Sequence, residues 1–302
     1  MSPAPEHRPP SGLPMALGAY LTWGLLPLYL RLVHDVPPFE FVGWRIVFTL
    51  PLCLLFIALR GQIADLLTAL TQPRTMLLLV ASSLLIGINW LVYIAAIQAG
   101  HVFAASLGYY INPLVNVLFG TLFLREKLSR LQWGAVALAA IGVSLLAWNA
   151  RDMLWISLTL ALSFSAYGLV RKLVPVGSLP GLTIESAVLV LPAIGVIVWQ
   201  TSGGAQAAVG HELGKSLLVA FSGVVTAVPL LLFAVAARRM DYSTLGFVQY
   251  LAPTIVFILG LLVFNEPLHP VQLACFVLIW CAIALFVWDL FARRRASRPA
   301  AI

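Results

Sequence analysis

Long apolar stretches separated by short polar breaks run through the whole chain. Ten of them are long enough to cross a bilayer at about 20 residues per helix: 13–33, 39–59, 75–98, 102–123, 131–150, 153–173, 182–201, 216–237, 243–265 and 271–291. The second carries Arg45 and Pro51, and the seventh carries Glu185 and Pro192. The third and fourth are joined only by Gln98-Ala99-Gly100-His101, which reads as a tight hairpin. The predicted fold is an all-α polytopic membrane protein of ten transmembrane helices. The first apolar run is long and no A-x-A cleavage site follows it, so it reads as a retained helix and not a signal peptide.

Composition agrees with this pattern. Apolar residues make up 61% of the chain and charged residues 10%, against about 25% charge in soluble domains. Ten spans use about two thirds of 302 residues, at about 20 per span, and leave no room for a soluble domain. The net charge of +7 sits at helix ends, where it sets topology, so no nucleic acid is expected as a partner. The three cysteines lie in apolar runs and no C-x-x-C occurs, so no metal and no cofactor is expected.

The basic residues also predict orientation. With the N-terminus inside, the inner loops and tails hold 14 Lys and Arg and the outer loops hold 3, with Arg45 left inside a span. Cytoplasmic loops carry this excess, so both termini are expected in the cytoplasm, with the chain in the cytoplasmic (inner) membrane.

The chain matches itself at an offset of 140. Tyr110 meets Tyr250, Pro113 meets Pro253, Gly120 meets Gly260, Glu126 meets Glu266, Gln132 meets Gln272 and Trp148 meets Trp288. With four leucine pairs this makes 10 identities over positions 110–148. Each half has five spans, an odd number, so the second half is expected to enter the membrane inverted, as in many secondary transporters. The predicted organisation is a tail at 1–12, repeats at 13–150 and 151–291, and a basic tail at 292–302.

Several segments carry a family resemblance. Leu124-Arg125-Glu126-Lys127-Leu128, leading into Gly134 and Gly142, resembles the end of an EamA domain, and Glu266-Pro267-Leu268 resembles a second copy. Ala19-Tyr20-x-x-Trp23-Gly24, Gly87-x-Asn89-Trp90, Tyr167-Gly168-Leu169-Val170-Arg171-Lys172 and above all Ser106-Leu107-Gly108-Tyr109-x-Ile111-Asn112-Pro113-Leu114-Val115-Asn116 resemble RarD-type permeases of the drug/metabolite transporter superfamily. The resemblance implies a ten-helix permease over nearly the whole chain. The reading is a secondary transporter of small organic metabolites or drugs, not an enzyme, acting as monomer or homodimer amid membrane lipid. The alternative is a lipid scramblase or flippase.

Two enzyme-like motifs fail. Gly210-His-Glu-Leu-Gly214-Lys215-Ser216 is one residue short of a phosphate loop and no strand precedes it. His211-Glu212 would begin a zinc motif, but position 215 is Lys.

Among the acids, only Glu185 lies clearly inside a span. Intramembrane charge is costly and marks function by default; the alternative is a carboxylate paired with Arg171 or Lys172. Glu185 is the candidate for proton coupling. Arg45, opposite Glu185 at the 140 offset, either holds a substrate or snorkels to the outer interface. Glu126 and Glu266 read as caps of the following helices or partners of a nearby base. Trp133, Trp148, Trp155 and Trp288 read as interfacial belt residues. Prolines at matching places in two inverted halves point to a binding site. Helix breaks are therefore expected at Pro113 and Pro253, freeing the carbonyls of Tyr109 and Gln249. The substrate site is predicted as one central cavity lined by Asn112, Tyr110, Tyr250, Gln249, Asn89, Trp90 and Arg45.

Overall fold

The structure, a computed structural model, describes residues 11–149, 151–202, 206–265 and 267–296. Its helices are α1 (Leu13–Leu32), α2 (Pro38–Leu59), α3 (Ile63–Thr71), α4 (Pro73–Gln98), α5 (Val102–Leu122), α6 (Arg130–Asn149), α7 (Leu154–Leu173), α8 (Ser178–Thr201), α9 (Leu213–Arg239), α10 (Tyr242–Gln249), α11 (Leu251–Leu262) and α12 (Pro270–Ala296). Ten stretches are long and apolar enough to cross a membrane, with α10 and α11 together forming the ninth. The protein is a multi-pass membrane protein.

The punctuation explains the boundaries. Proline opens α2, α4 and α12, where its missing N–H has no helical partner to lose. Gly61 and Gly100 follow α2 and α4 with φ of +63° and +79°, the left-handed turn that ends a helix. The outward surface is greasy, as lipid requires: Leu77, Leu122 and Leu191 are all strongly exposed, and so are Trp133, Trp148, Trp155 and Trp288.

One element was not foreseen. The stretch between the second and third spans is a helix, α3, with Ile63, Leu66, Leu67 and Leu70 at the i, i+3, i+4, i+7 spacing of an amphipathic face. Leu66 and Ala69 pack inward, while Ile63, Leu67 and Leu70 stay exposed, as in a helix lying along a membrane surface.

The two prolines act differently, which corrects the expectation of paired breaks. Pro113 lies inside an uninterrupted α5. Its N–H is missing, but neighbouring helices hold the segment on both sides. The ninth span does break, at Tyr250, three residues before Pro253. There the Tyr250 N–H bonds to the Phe247 carbonyl, a tighter i–3 turn, before α11 resumes.

Packing maps onto itself when each span is exchanged for the one five further along. The pairs α2–α8, α6–α12 and α5–α10 are their own images. The α5–α7 contact corresponds to α1 against α10 and α11, α4–α7 corresponds to α9–α1, and α2–α9 to α8–α4. Among the described residues, the two non-glycine residues with left-handed backbone are Arg125 and Asn265, 140 positions apart, with φ of 55° and 54°. Glu266 lies outside the described residues.

Candidate functional site

A narrow cavity of about 10 Å³ lies where α2, α4, α7, α8 and α9 meet. Thr49, Trp90, Tyr167, Glu185, Ser186 and Thr226 supply its polar wall. Aliphatic side chains of α2, α4, α8 and α9 close the rest. Four pairs of lining residues stand 140 apart: Ile46 and Ser186, Thr49 and Leu189, Ile86 and Thr226, Trp90 and Leu230. The cavity therefore sits where the two halves face each other.

Glu185 is fully buried and heavily tied. Ser82 Oγ donates to its Oε1 at 2.5 Å, and the Tyr167 hydroxyl donates to Oε2 at 3.4 Å. Arg171 Nη1 stands 3.5 Å from Oε1, with both side chains almost inaccessible. The Arg171 head also donates from Nη2 to the Ser178 carbonyl at 2.9 Å, but Nε and Nη1 make no hydrogen bond. The contact with Glu185 is thus an ion pair by proximity, without hydrogen-bond geometry. Gly181 makes it possible, since a Cβ there would collide with the guanidinium. Of the two sequence readings of Glu185, the structure supplies the pairing partner, and it is Arg171. Lys172 instead donates to the carbonyls of Ala237 and Met240 at 2.8 and 2.7 Å, closing the end of α9.

Arg45 projects inward. Its Nε donates to Thr226 Oγ1 at 2.9 Å, and Thr226 is the fourteenth of the 27 residues in α9. Its guanidinium carbon stands 5.3 Å from the Trp90 ring centre and 5.9 Å from that of Phe41. The side chain points toward the middle of the bundle, which answers the snorkelling alternative.

The seven residues expected around one cavity occupy four places. Trp90 lines the cavity, and Arg45 reaches its wall at Thr226. Asn89 faces α7 and donates to the Leu160 carbonyl at 2.9 Å and to Ser163 Oγ at 3.0 Å. Gln249 and Asn112 lie on the α5–α7–α10 seam. There Gln249 Oε1 accepts from Asn116 Nδ2 at 2.8 Å and from the Tyr20 hydroxyl at 3.4 Å, and Asn112 Oδ1 accepts from Ser165 at 3.1 Å. Tyr110 and Tyr250 pack in an aromatic core with Phe276, Tyr110 edge-on at 5.6 Å. Helical phase explains the split: Tyr110 and Asn112 differ by two positions, about 200° round α5. Asn112 and Asn116, four apart, share the seam face.

Ser82, Thr49 and Thr226 were not singled out from sequence. Thr49 had a signal, because it follows Arg45 by four on the same helix face. Glu126 caps a helix, but not the next one. It accepts from the backbone N–H of Tyr242 at 2.6 Å and of Ser243 at 2.9 Å, and from Ser243 Oγ at 2.6 Å. These are the first donors of α10, 116 positions away in the chain. Gly120 leaves the room, since a Cβ there would stand 2.5 Å from the Glu126 carboxylate.

A sequence profile of the EamA-like transporter family matches residues 10–148. An uncharacterized transporter of Pseudomonas aeruginosa is 41% identical over 95% of this chain and 97% of its own. Protein RarD of Streptomyces exfoliatus is 42% identical, covering 97% of this chain and 93% of its own, and RarD of Escherichia coli is 38% identical, covering 95% and 97%. A solved crystal structure at 21% identity superposes with a TM-score of 0.72 over 93% of this chain and 98% of its own, which speaks to fold alone.

Proposed function

The chain belongs to the RarD-type permeases of the EamA, or drug/metabolite transporter, superfamily and is a membrane transporter, and we propose that it is a secondary carrier of small organic molecules working by alternating access. The observation that supports this is the position of the cavity. Eight of its lining residues form four pairs at the 140 offset, so both halves contribute equivalent helix faces to one space. With five spans in each half, corresponding helices run in opposite directions. A rocking of one half against the other then opens the same space to either side at similar energy. In the present conformation the cavity has clear room for about one water molecule, as expected of an occluded state.

Both termini belong on the cytoplasmic side of the inner membrane, on the 14-to-3 basic asymmetry. Glu185 is the group we assign to coupling. It lines the cavity, and leaving Arg171 would free it to take a proton. The test is flux by purified protein in liposomes against a metabolite library, with and without a pH gradient. Saturable movement of defined compounds is expected, and Glu185→Gln should lose gradient-driven accumulation while keeping downhill exchange. Absence of any solute flux, together with scrambling of labelled lipid, would replace this reading with the scramblase alternative.

A further inference from the structure

The charges at the cavity do not cancel. Glu185 is already neutralised by Arg171, and its two oxygens also receive Ser82 and Tyr167. Arg45 has no such counter-ion: the ion pairs among the described residues are Arg171–Glu185, Lys215–Asp35 and Arg293–Asp289. Its fixed polar bond is to a neutral hydroxyl, through Nε, and its other contacts are ring faces. One net positive charge therefore remains.

Depth makes this charge informative. Arg45 is the eighth residue of α2, so its backbone lies about 10 Å in from the helix end at 1.5 Å per residue. Its side chain then runs further inward, to the midpoint of α9. A basic residue kept only for topology would turn the other way, to the interface. Arg45 as a residue is nonetheless only half-buried. Thr226, which holds Nε, and Trp90, whose ring lies beside the guanidinium, both line the cavity. With Nε anchored, the terminal nitrogens are left as a planar fork suited to two parallel bonds to an oxyanion.

We propose that the transported molecule is a small organic carboxylate and that Arg45 binds its anionic group. This rests on the cavity being the transport site. The Thr226 bond fixes the plane of the fork, and the Trp90 ring holds it from one side. The acid that Arg45 lacks in the protein is supplied by the substrate, which neutralises the cavity while it crosses.

The test uses the full chain in liposomes and matched probes, each a small aliphatic or aromatic carboxylate beside its neutral amide. The carboxylates should be transported and the amides should move at least about tenfold more slowly, the loss expected when a charge-assisted pair becomes a neutral one. Arg45→Gln should cut carboxylate flux about tenfold or more. Arg45→Lys keeps the charge but not the fork, so it should raise KM several-fold with kcat largely kept. Transport confined to neutral or cationic compounds overturns the proposal, as does unchanged carboxylate flux in Arg45→Gln. Where that variant does not fold, an unaltered KM in Arg45→Lys overturns it equally. If no compound of any charge moves, the carrier reading itself has failed and this inference falls with it.

Discussion

Replacing Glu185 by Gln removes the anion from a buried pair and leaves Arg171 with the Ser178 carbonyl as its remaining hydrogen-bond acceptor. Breaking a buried pair from one side costs about 3–5 kcal/mol, because an uncompensated charge stays behind. The amide keeps one carbonyl oxygen to accept from Ser82 or Tyr167, so the expected loss lies near the lower end, about 3 kcal/mol. Arg171→Met strands the carboxylate instead and should cost a similar amount. The double variant Arg171→Met/Glu185→Gln buries no charge at all. It should be more stable than either single variant, giving a coupling of about 2–3 kcal/mol in the double-mutant cycle. Unfolding of the purified protein in nanodiscs, followed by tryptophan fluorescence, measures all four proteins. If the single losses add to within about 0.5 kcal/mol, the two groups are independent and the pair is not what holds α7 to α8.

Glu126→Ala should destabilise the protein by about 2–4 kcal/mol, since three charge-assisted bonds to the start of α10 are lost together, and faster hydrogen exchange should be confined to residues 242–249. Reporter fusions after Lys127 and Lys172 should read cytoplasmic and one at His211 periplasmic; a periplasmic C-terminal tail would reverse the orientation. The hydrogen bond from Lys215 holds the Asp35 carboxyl below its usual value near 3.8. A lowered carboxylate contributes fully above its unfolded value and is lost as pH falls through the lower folded one. Protease accessibility of the 206–212 loop should therefore stay constant from about pH 8 to 5 and rise with added salt instead.

The spans were legible because lipid imposes a length and a composition on each of them. Their ends were less so where proline misled. The seventh span begins at Ser178 and not 182, because Pro180 sits in the first turn, where a helix tolerates it. Pro113 misled for the converse reason, since a helix held by neighbours on both sides need not break. The polar residues were legible as a group, but the space they surround was not. Their grouping by sequence position put Tyr110 beside Asn112, whereas the 100° step per residue sends them to opposite sides of α5. The 140 offset held the missing information: inward-facing positions of spans two and seven, and of three and eight, converge on the cavity. Gly181 left no trace in the sequence, because its role is to be small beside a guanidinium that arrives from another helix.

The four lining pairs have a consequence for how a guest lies inside. In a frame with two identical halves, any molecule without matching symmetry could bind in two poses related by the axis, with equal energy. That degeneracy is worth RT ln 2, about 0.4 kcal/mol of binding entropy. Here each pair sets a polar or aromatic side chain against an aliphatic one: Ser186 against Ile46, Thr49 against Leu189, Thr226 against Ile86, Trp90 against Leu230. The degeneracy is therefore lifted and one pose is selected. On the carrier reading proposed above, a guest would keep the same end toward α2 and the same end toward α8 throughout the cycle, so the end that faced the entrance would face away from the exit.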